Sequence, residues 1–144
     1  MQTISNKKTT KATINGLKDN STIKYVIKSY KIVSGLTFES GNSQAISATT
    51  QMKVPSIGLK TKSKNVSVEW KKIAGAQGYE VVMSTNKTKG FKSIATLKGN
   101  AKVSYTKSKL VKNKTYYFKV RAYKMVNGKK VYSEYSTVKS IKVK

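Results

Sequence analysis

The chain has no cysteine and no histidine among its 144 residues, and only one proline, one tryptophan and five carboxylates. Each shortage closes a class of chemistry. Without cysteine there is no disulfide framework, no thiolate nucleophile and no sulfur ligand for a metal, so cysteine usage leaves the redox compartment open. Without histidine the commonest general base, the usual partner of a serine nucleophile and the main nitrogen ligand of zinc are missing. Asp19, Glu39, Glu69, Glu80 and Glu134 stand singly, giving neither an Asp-x-Asp calcium loop nor a sequence-local carboxylate pair of the glycosidase kind. The Ser-x-x-Lys spacing of some acyl-transfer enzymes occurs at Ser21 and Lys24, Ser104 and Lys107, and Ser136 and Lys139. Each pair lies in a strand-like or turn-like stretch, and lysine this dense produces such matches by chance. Gly75 and Gly78 sit in a short connection rather than in a phosphate loop that opens a helix. The chain reads as a non-enzyme, with no catalytic residue, no cofactor-binding residue, no cofactor and no metal ligand assigned.

Long apolar runs are missing too. No stretch of about 18 apolar residues occurs, and residues 1–11 are polar, so neither membrane insertion nor a signal peptide is expected within this sequence. An export signal, if the protein is exported, is expected to lie outside it.

What the chain has in excess is lysine. Lys and Arg number 30 against 5 Asp and Glu, a net charge of +25, and Arg121 is the one arginine. Arginine supplies the planar fork that reads guanine edges and phosphates; lysine is a hydrated point charge that attracts polyanions without choosing among them. The lysines are spread over the whole chain, and the plainest reading is a solvated, mutually repulsive surface that maintains solubility.

An internal repeat organises the sequence. Leu17, Thr22, Tyr30, Lys31, Val33, Gly35, Ser40 and Ser43 match Leu110, Thr115, Tyr123, Lys124, Val126, Gly128, Ser133 and Ser136 at one offset, 110 − 17 = 93, without a gap. That period is too long for a solenoid and suits a small β-sandwich. In this register Met1 falls opposite Ile94, so the first copy begins mid-unit. The seam, Thr49 to Pro55, reads as a polar linker, and the boundary is set near Thr50: residues 1–50 form the C-terminal part of a repeat and 51–144 a complete one.

Within the complete copy, Val66, Val68 and Trp70 alternate with Ser67, Glu69 and Lys71, the period of a strand with one buried face. Tyr79, Val81 and Met83 are expected inward and Glu80, Val82 and Ser84 outward. Residues 91–97 and 103–106 are shorter candidates. Tyr116, Phe118, Val120 and Ala122 are expected inward, with Tyr117, Lys119, Arg121 and Tyr123 outward, leading to Asn127-Gly128, a strong type I′ hairpin signal, and a second strand from Lys130. No segment holds a 3.6-residue period, so the fold class is all-β.

These residues carry a family pattern. Val66 to Trp70 with Gly78-Tyr79-Glu80-Val81, Leu110 with Tyr116, Phe118, Val120 and Ala122, and Arg121 to Ser133 around Asn127-Gly128 resemble a fibronectin type III domain of the lysine-rich kind found in tandem on bacterial surface and secreted proteins. The resemblance implies an immunoglobulin-like, seven-stranded β-sandwich. Its structural core would comprise Trp70, Tyr79, Val81, Leu110, Tyr116, Phe118 and Val120, with Tyr116 as a corner tyrosine bonded to the loop after Leu110. In the partial copy Ile23 takes the place of Tyr116, and the inward row Ile23, Tyr25, Ile27 lacks its opposing sheet. Three outcomes are open for it: disorder, pairing with another molecule or self-association, and packing on the complete domain. A fragment of a longer tandem array is the simplest origin.

The functional expectation is a non-catalytic extracellular or cell-wall-associated spacer or adhesion module, held to an anionic wall polymer or glycan by lysine. Tyr117, Arg121, Tyr132 and Tyr135 form the candidate ligand surface, against the plainer alternative of cross-strand packing for the tyrosines. The alternatives are a non-specific polyanion binder, with no specific nucleic acid expected, and an accessory domain of a larger cell-wall or polysaccharide hydrolase.

Overall fold

A computed structural model describes residues 2–144, and they form strands, turns and loops with no helix. The chain divides into two compact units, Met1–Thr50 and Gln51–Lys144. Each is described by itself.

Unit two contains β5 (Ile57–Lys62), β6 (Asn65–Trp70), β7 (Gly78–Ser84), β8 (Lys92–Lys98), β9 (Ser104–Lys107), β10 (Thr115–Val126), β11 (Lys129–Tyr132) and β12 (Lys139–Lys142). One sheet has the order β5-β6-β9; the other runs β11-β10-β7-β8, with β12 also paired to β10. All pairings in the unit are antiparallel. The inward rows of both sheets meet in one core that includes Val66, Val68, Trp70, Tyr79, Val81, Leu110, Tyr116, Phe118, Val120 and Ala122. The indole of Trp70 lies 5.3 Å from the Tyr79 ring, tilted by 58°. The Tyr79 hydroxyl accepts the Ile73 amide at 3.0 Å and donates to the Asn100 carbonyl at 3.3 Å, so this buried ring has its polar end satisfied. Tyr116 ties the corner: the Val111 amide donates to its hydroxyl at 3.2 Å.

Several sequence expectations need correction. Met52 and Pro55, placed in a polar linker, are buried, and Met52 belongs to the core of unit two. The last strand is broken into β11 and β12, both beside β10. Between them the backbone leaves the ladder and serine hydroxyls stand in for carbonyls. The Ala122 amide donates to Ser133 Oγ and the Val120 amide to Ser136 Oγ, each at 3.0 Å. Tyr123, Val82 and Ser84 lie on the outer face as the alternation requires, yet all three are buried. Tyr123 lies across from Gly78, where the space a Cβ would need is filled by the Tyr123 ring and the Leu97 carbonyl. Ser84 Oγ organises the following turn, donating to the Lys89 carbonyl at 2.7 Å and accepting the Asn86 amide at 2.9 Å. Met83, on the inner face, is only partly buried. The hairpin turn at Asn127 and Gly128 has φ of 49° and 75°, as a type I′ turn demands.

Unit one contains β1 (Thr22–Tyr25), β2 (Tyr30–Val33), β3 (Leu36–Glu39) and β4 (Ile46–Thr49), in the pairs β1-β4 and β2-β3. Their registers are those of unit two displaced by one constant. Thr22↔Thr49 matches Thr115↔Lys142, and Tyr30↔Glu39 matches Tyr123↔Tyr132, with 115 − 22 = 142 − 49 = 123 − 30 = 132 − 39 = 93. The serine pins recur as well. The Ser29 amide donates to Ser40 Oγ at 3.0 Å and the Ile27 amide to Ser43 Oγ at 2.9 Å. Of the row Ile23, Tyr25, Ile27, the last two are exposed, Ile27 to 67%.

Candidate functional site

The broken last strand decides what happens on the outer face of the five-stranded sheet. In the segment Tyr132-Ser133-Glu134-Tyr135-Ser136, each serine turns inward onto β10 while Tyr132 and Tyr135 turn out, three residues apart. They meet the outward residues of β10, Lys119, Arg121 and Tyr123, which are two residues apart on one strand. The result is an alternating file of rings and cations. The Lys119 ammonium lies 4.2 Å from the Phe91 centroid and 4.5 Å from that of Tyr135. The Arg121 guanidinium sits 4.4 Å from Tyr135 and 3.7 Å from Tyr132. Tyr132 faces Tyr123 at 6.0 Å, and Lys130 closes the file 4.9 Å from Tyr123. Each such contact contributes about 0.5–1 kcal/mol at exposed sites and more where water is excluded.

Glu80 anchors this file from β7, directly across from Arg121. One oxygen accepts both Arg121 Nε at 2.5 Å and the Tyr135 hydroxyl at 3.0 Å. Burial raises the Glu80 carboxyl, but hydrogen bonds from Arg121 and Tyr135 and the guanidinium charge outweigh it and hold the group below the ordinary carboxylate range. Tyr135 moves the other way: burial first, then the bond to Glu80 and its charge, push it up to about 12.

Arg121, Tyr132 and Tyr135 are therefore brought together and bonded mainly to one another. Tyr117 lies apart, half-buried, across from Ser84 and Ser140. Sequence reasoning missed Glu80, Phe91, Lys119 and Lys130 as members of the file. The signal for Glu80 and Lys119 was present in the outward positions of β7 and β10; Phe91, from the loop before β8, has no such signature.

A second feature is an open cleft of about 520 Å³ lined by Lys64, Lys109, Lys112, Leu110 and Val111. The turns holding the first two of these lysines are shaped by Ser63 and Lys109, whose φ values are 54° and 57°, and by the Leu110 amide bonding the Lys64 carbonyl at 2.9 Å. Three lysines thus line it beside Leu110 and Val111. Among the described residues no cluster of three or more acidic, histidine or cysteine side chains could hold a metal. Among the described residues no helix is long and apolar enough to cross a membrane.

No family model and no curated protein matches the sequence. Solved structures match the fold. An Fn3-like protein from Clostridium thermocellum aligns at 23% identity over 65% of this chain and 92% of its own, with a TM-score of 0.50. The fibronectin type-III domain of human fibronectin type III domain containing protein 3 aligns at 25% identity over 64% of this chain and 85% of its own, with a TM-score of 0.51. A β-1,2-glucanase from Parabacteroides distasonis aligns at 18% identity over 64% of this chain but only 12% of its own, with a TM-score of 0.54. The architecture is thus that of an immunoglobulin-like β-sandwich. More narrowly, it is the fibronectin type III fold.

Proposed function

We propose that the chain is a non-catalytic spacer and adhesion module of a bacterial surface or secreted protein, held to an anionic wall polymer by its lysines. The observation that carries this reading is the disposition of charge. The ion pairs Lys28–Glu39, Lys60–Glu69 and Arg121–Glu80 engage three of the five acids, and Arg121, the one side chain shaped for bidentate recognition, is directed into the internal file. What faces solvent is a large lysine excess, and three lysines line the open cleft. Lysine attracts phosphate or carboxylate polymers by charge, with little choice of sequence or sugar. Extracellular placement accords with the bacterial neighbours, and the glucanase alignment favours a second reading, an accessory domain of a larger polysaccharide hydrolase.

The test is a binding titration against purified anionic wall polymer, a neutral glycan and duplex DNA, each at low and at physiological salt. Binding to the anionic polymer that weakens as salt rises is expected. Preference for the neutral glycan moves the reading to the accessory domain. Tight binding to DNA alone that survives physiological salt overturns both in favour of a nucleic-acid binder.

A further inference from the structure

Asparagine followed by glycine is the dipeptide in which a side chain most readily reacts with its own backbone, and it occurs here at Asn15-Gly16 and at Asn127-Gly128. The glycine nitrogen, once deprotonated, attacks the asparagine Cγ. A C–N bond forms, the side-chain amide leaves as ammonia, and water then opens the five-membered succinimide at either carbonyl to give aspartate or isoaspartate. Water enters and ammonia departs, with no oxidant, metal or second protein. Glycine favours the step because it places no Cβ beside the attacking nitrogen.

Access does not separate the two sites. All four residues are exposed, and a Cβ on Gly16 or on Gly128 would meet nothing within 4 Å. Charge by itself favours the second site: Lys129 and Lys130 follow Asn127-Gly128 directly, and nearby cations stabilise the nitrogen anion that attacks. The backbone acts the other way. Asn127 and Gly128, with φ of 49° and 75°, are the central residues of a type I′ turn closed by the pairing of Val126 with Lys129. The first central residue of such a turn has ψ of about +30°. Closing the succinimide ring ties the glycine nitrogen to the side chain and swings that ψ far from the turn value, so the hairpin end must open before Asn127 reacts.

Asn15-Gly16 bears no such restraint. It precedes β1 outside any strand, and among the described residues neither member makes a hydrogen bond. The repeat marks this stretch as a loop in its own right, not one left open by an absent neighbour. The corresponding residues of unit two, Ser108 and Lys109 (108 − 93 = 15, 109 − 93 = 16), are likewise exposed and lie between β9 and β10. Lys109 also repeats the left-handed backbone of Gly16, with φ of 57° against 72°. We propose that Asn15 is a site of spontaneous deamidation in the folded chain, and that Asn127, in the same dipeptide, is shielded from the reaction by its hairpin. Each event at Asn15 replaces a neutral amide with a carboxylate ahead of β1, and the isoaspartate product adds a methylene to the backbone there.

The test incubates the full chain in mildly alkaline buffer, with and without denaturant, and follows the peptides carrying each dipeptide by mass spectrometry for a gain of about 1 Da. In the native chain the Asn127 peptide should lag that of Asn15 by at least about tenfold, because the hairpin opens only a small fraction of the time. In denaturant the two rates should converge. Gly16→Lys installs the residue that unit two carries at this place with the same sign of φ, so it should keep the fold while slowing the Asn15 reaction about tenfold. No mass gain at Asn15, a native Asn127 rate equal to or above that of Asn15, an undiminished gap in denaturant, or an unslowed Gly16→Lys chain would each overturn the proposal.

Discussion

The two copies of the hairpin system, β10 with β11 and β12 against β1, β2, β3 and β4, share register and serine pins and differ in what lies next to them. In unit two, β7 pairs the open edge and the β5-β6-β9 sheet covers the inner face; Phe118, Val120 and Ala122 are fully buried. In unit one the same hydrogen bonds leave every strand residue exposed except Ile23. Local bonding thus sets the register, and non-local burial sets how continuous the strand is and how much stability it gains.

The sharpest way to break this contrast is to remove the core that only one copy has. Trp70→Ala should destabilise unit two by about 3–5 kcal/mol in denaturant unfolding, while hydrogen exchange at residues 22–49 stays unchanged. Gly78→Ala comes next: its methyl meets the Leu97 carbonyl and the Tyr123 ring, and a loss of about 1–3 kcal/mol is expected, again in unit two alone. Ser136→Ala orphans the buried Val120 amide and should cost about 1–2 kcal/mol. Ser43→Ala, at the equivalent exposed site, should cost below about 0.5 kcal/mol because water can serve the Ile27 amide. Equal effects of these two serine variants would show that unit one is covered in solution.

The smallest effect concerns pH. Glu80 is lowered in the folded state, so its contribution is present above the ordinary carboxylate pKa and fades as pH falls through the lowered value. Tyr135 is raised to about 12 from 10.0, so its contribution is complete below 10.0 and is lost as pH rises through about 12. Melting temperatures of unit two should fall at both extremes. Tyr135→Phe should abolish the Tyr135-linked part of the alkaline loss and leave the Arg121–Glu80 pair in place at neutral pH.

Much of this arrangement was legible beforehand. The offset of 93, visible in a few residues such as Tyr30 and Tyr123, carries over to the strand registers of both units. The alternation in Val66–Trp70 and Tyr116–Ala122 matches the inward rows of β6 and β10. What period-two reasoning cannot supply is whether the outer face of a sheet meets water. Tyr123 was assigned to the correct face and is nonetheless buried, because the hollow above Gly78 and the ring of Tyr132 enclose it. The break between β11 and β12 was hidden for a related reason. Ser133 and Ser136 look like ordinary strand residues until their hydroxyls are seen to receive bonds that carbonyls normally take. Arg121, Tyr132 and Tyr135, expected to await a ligand, are largely occupied by one another and by Glu80.

The placement of Arg121 has a practical corollary. It is the one arginine of the chain, sits mid-strand in β10, and is flanked on one side by β7 and on the other by the serine-pinned segment. A protease that cuts only after arginine therefore meets its sole target when unit two opens, and the rate at which that single cut appears reports the opening of this unit and of no other part of the molecule.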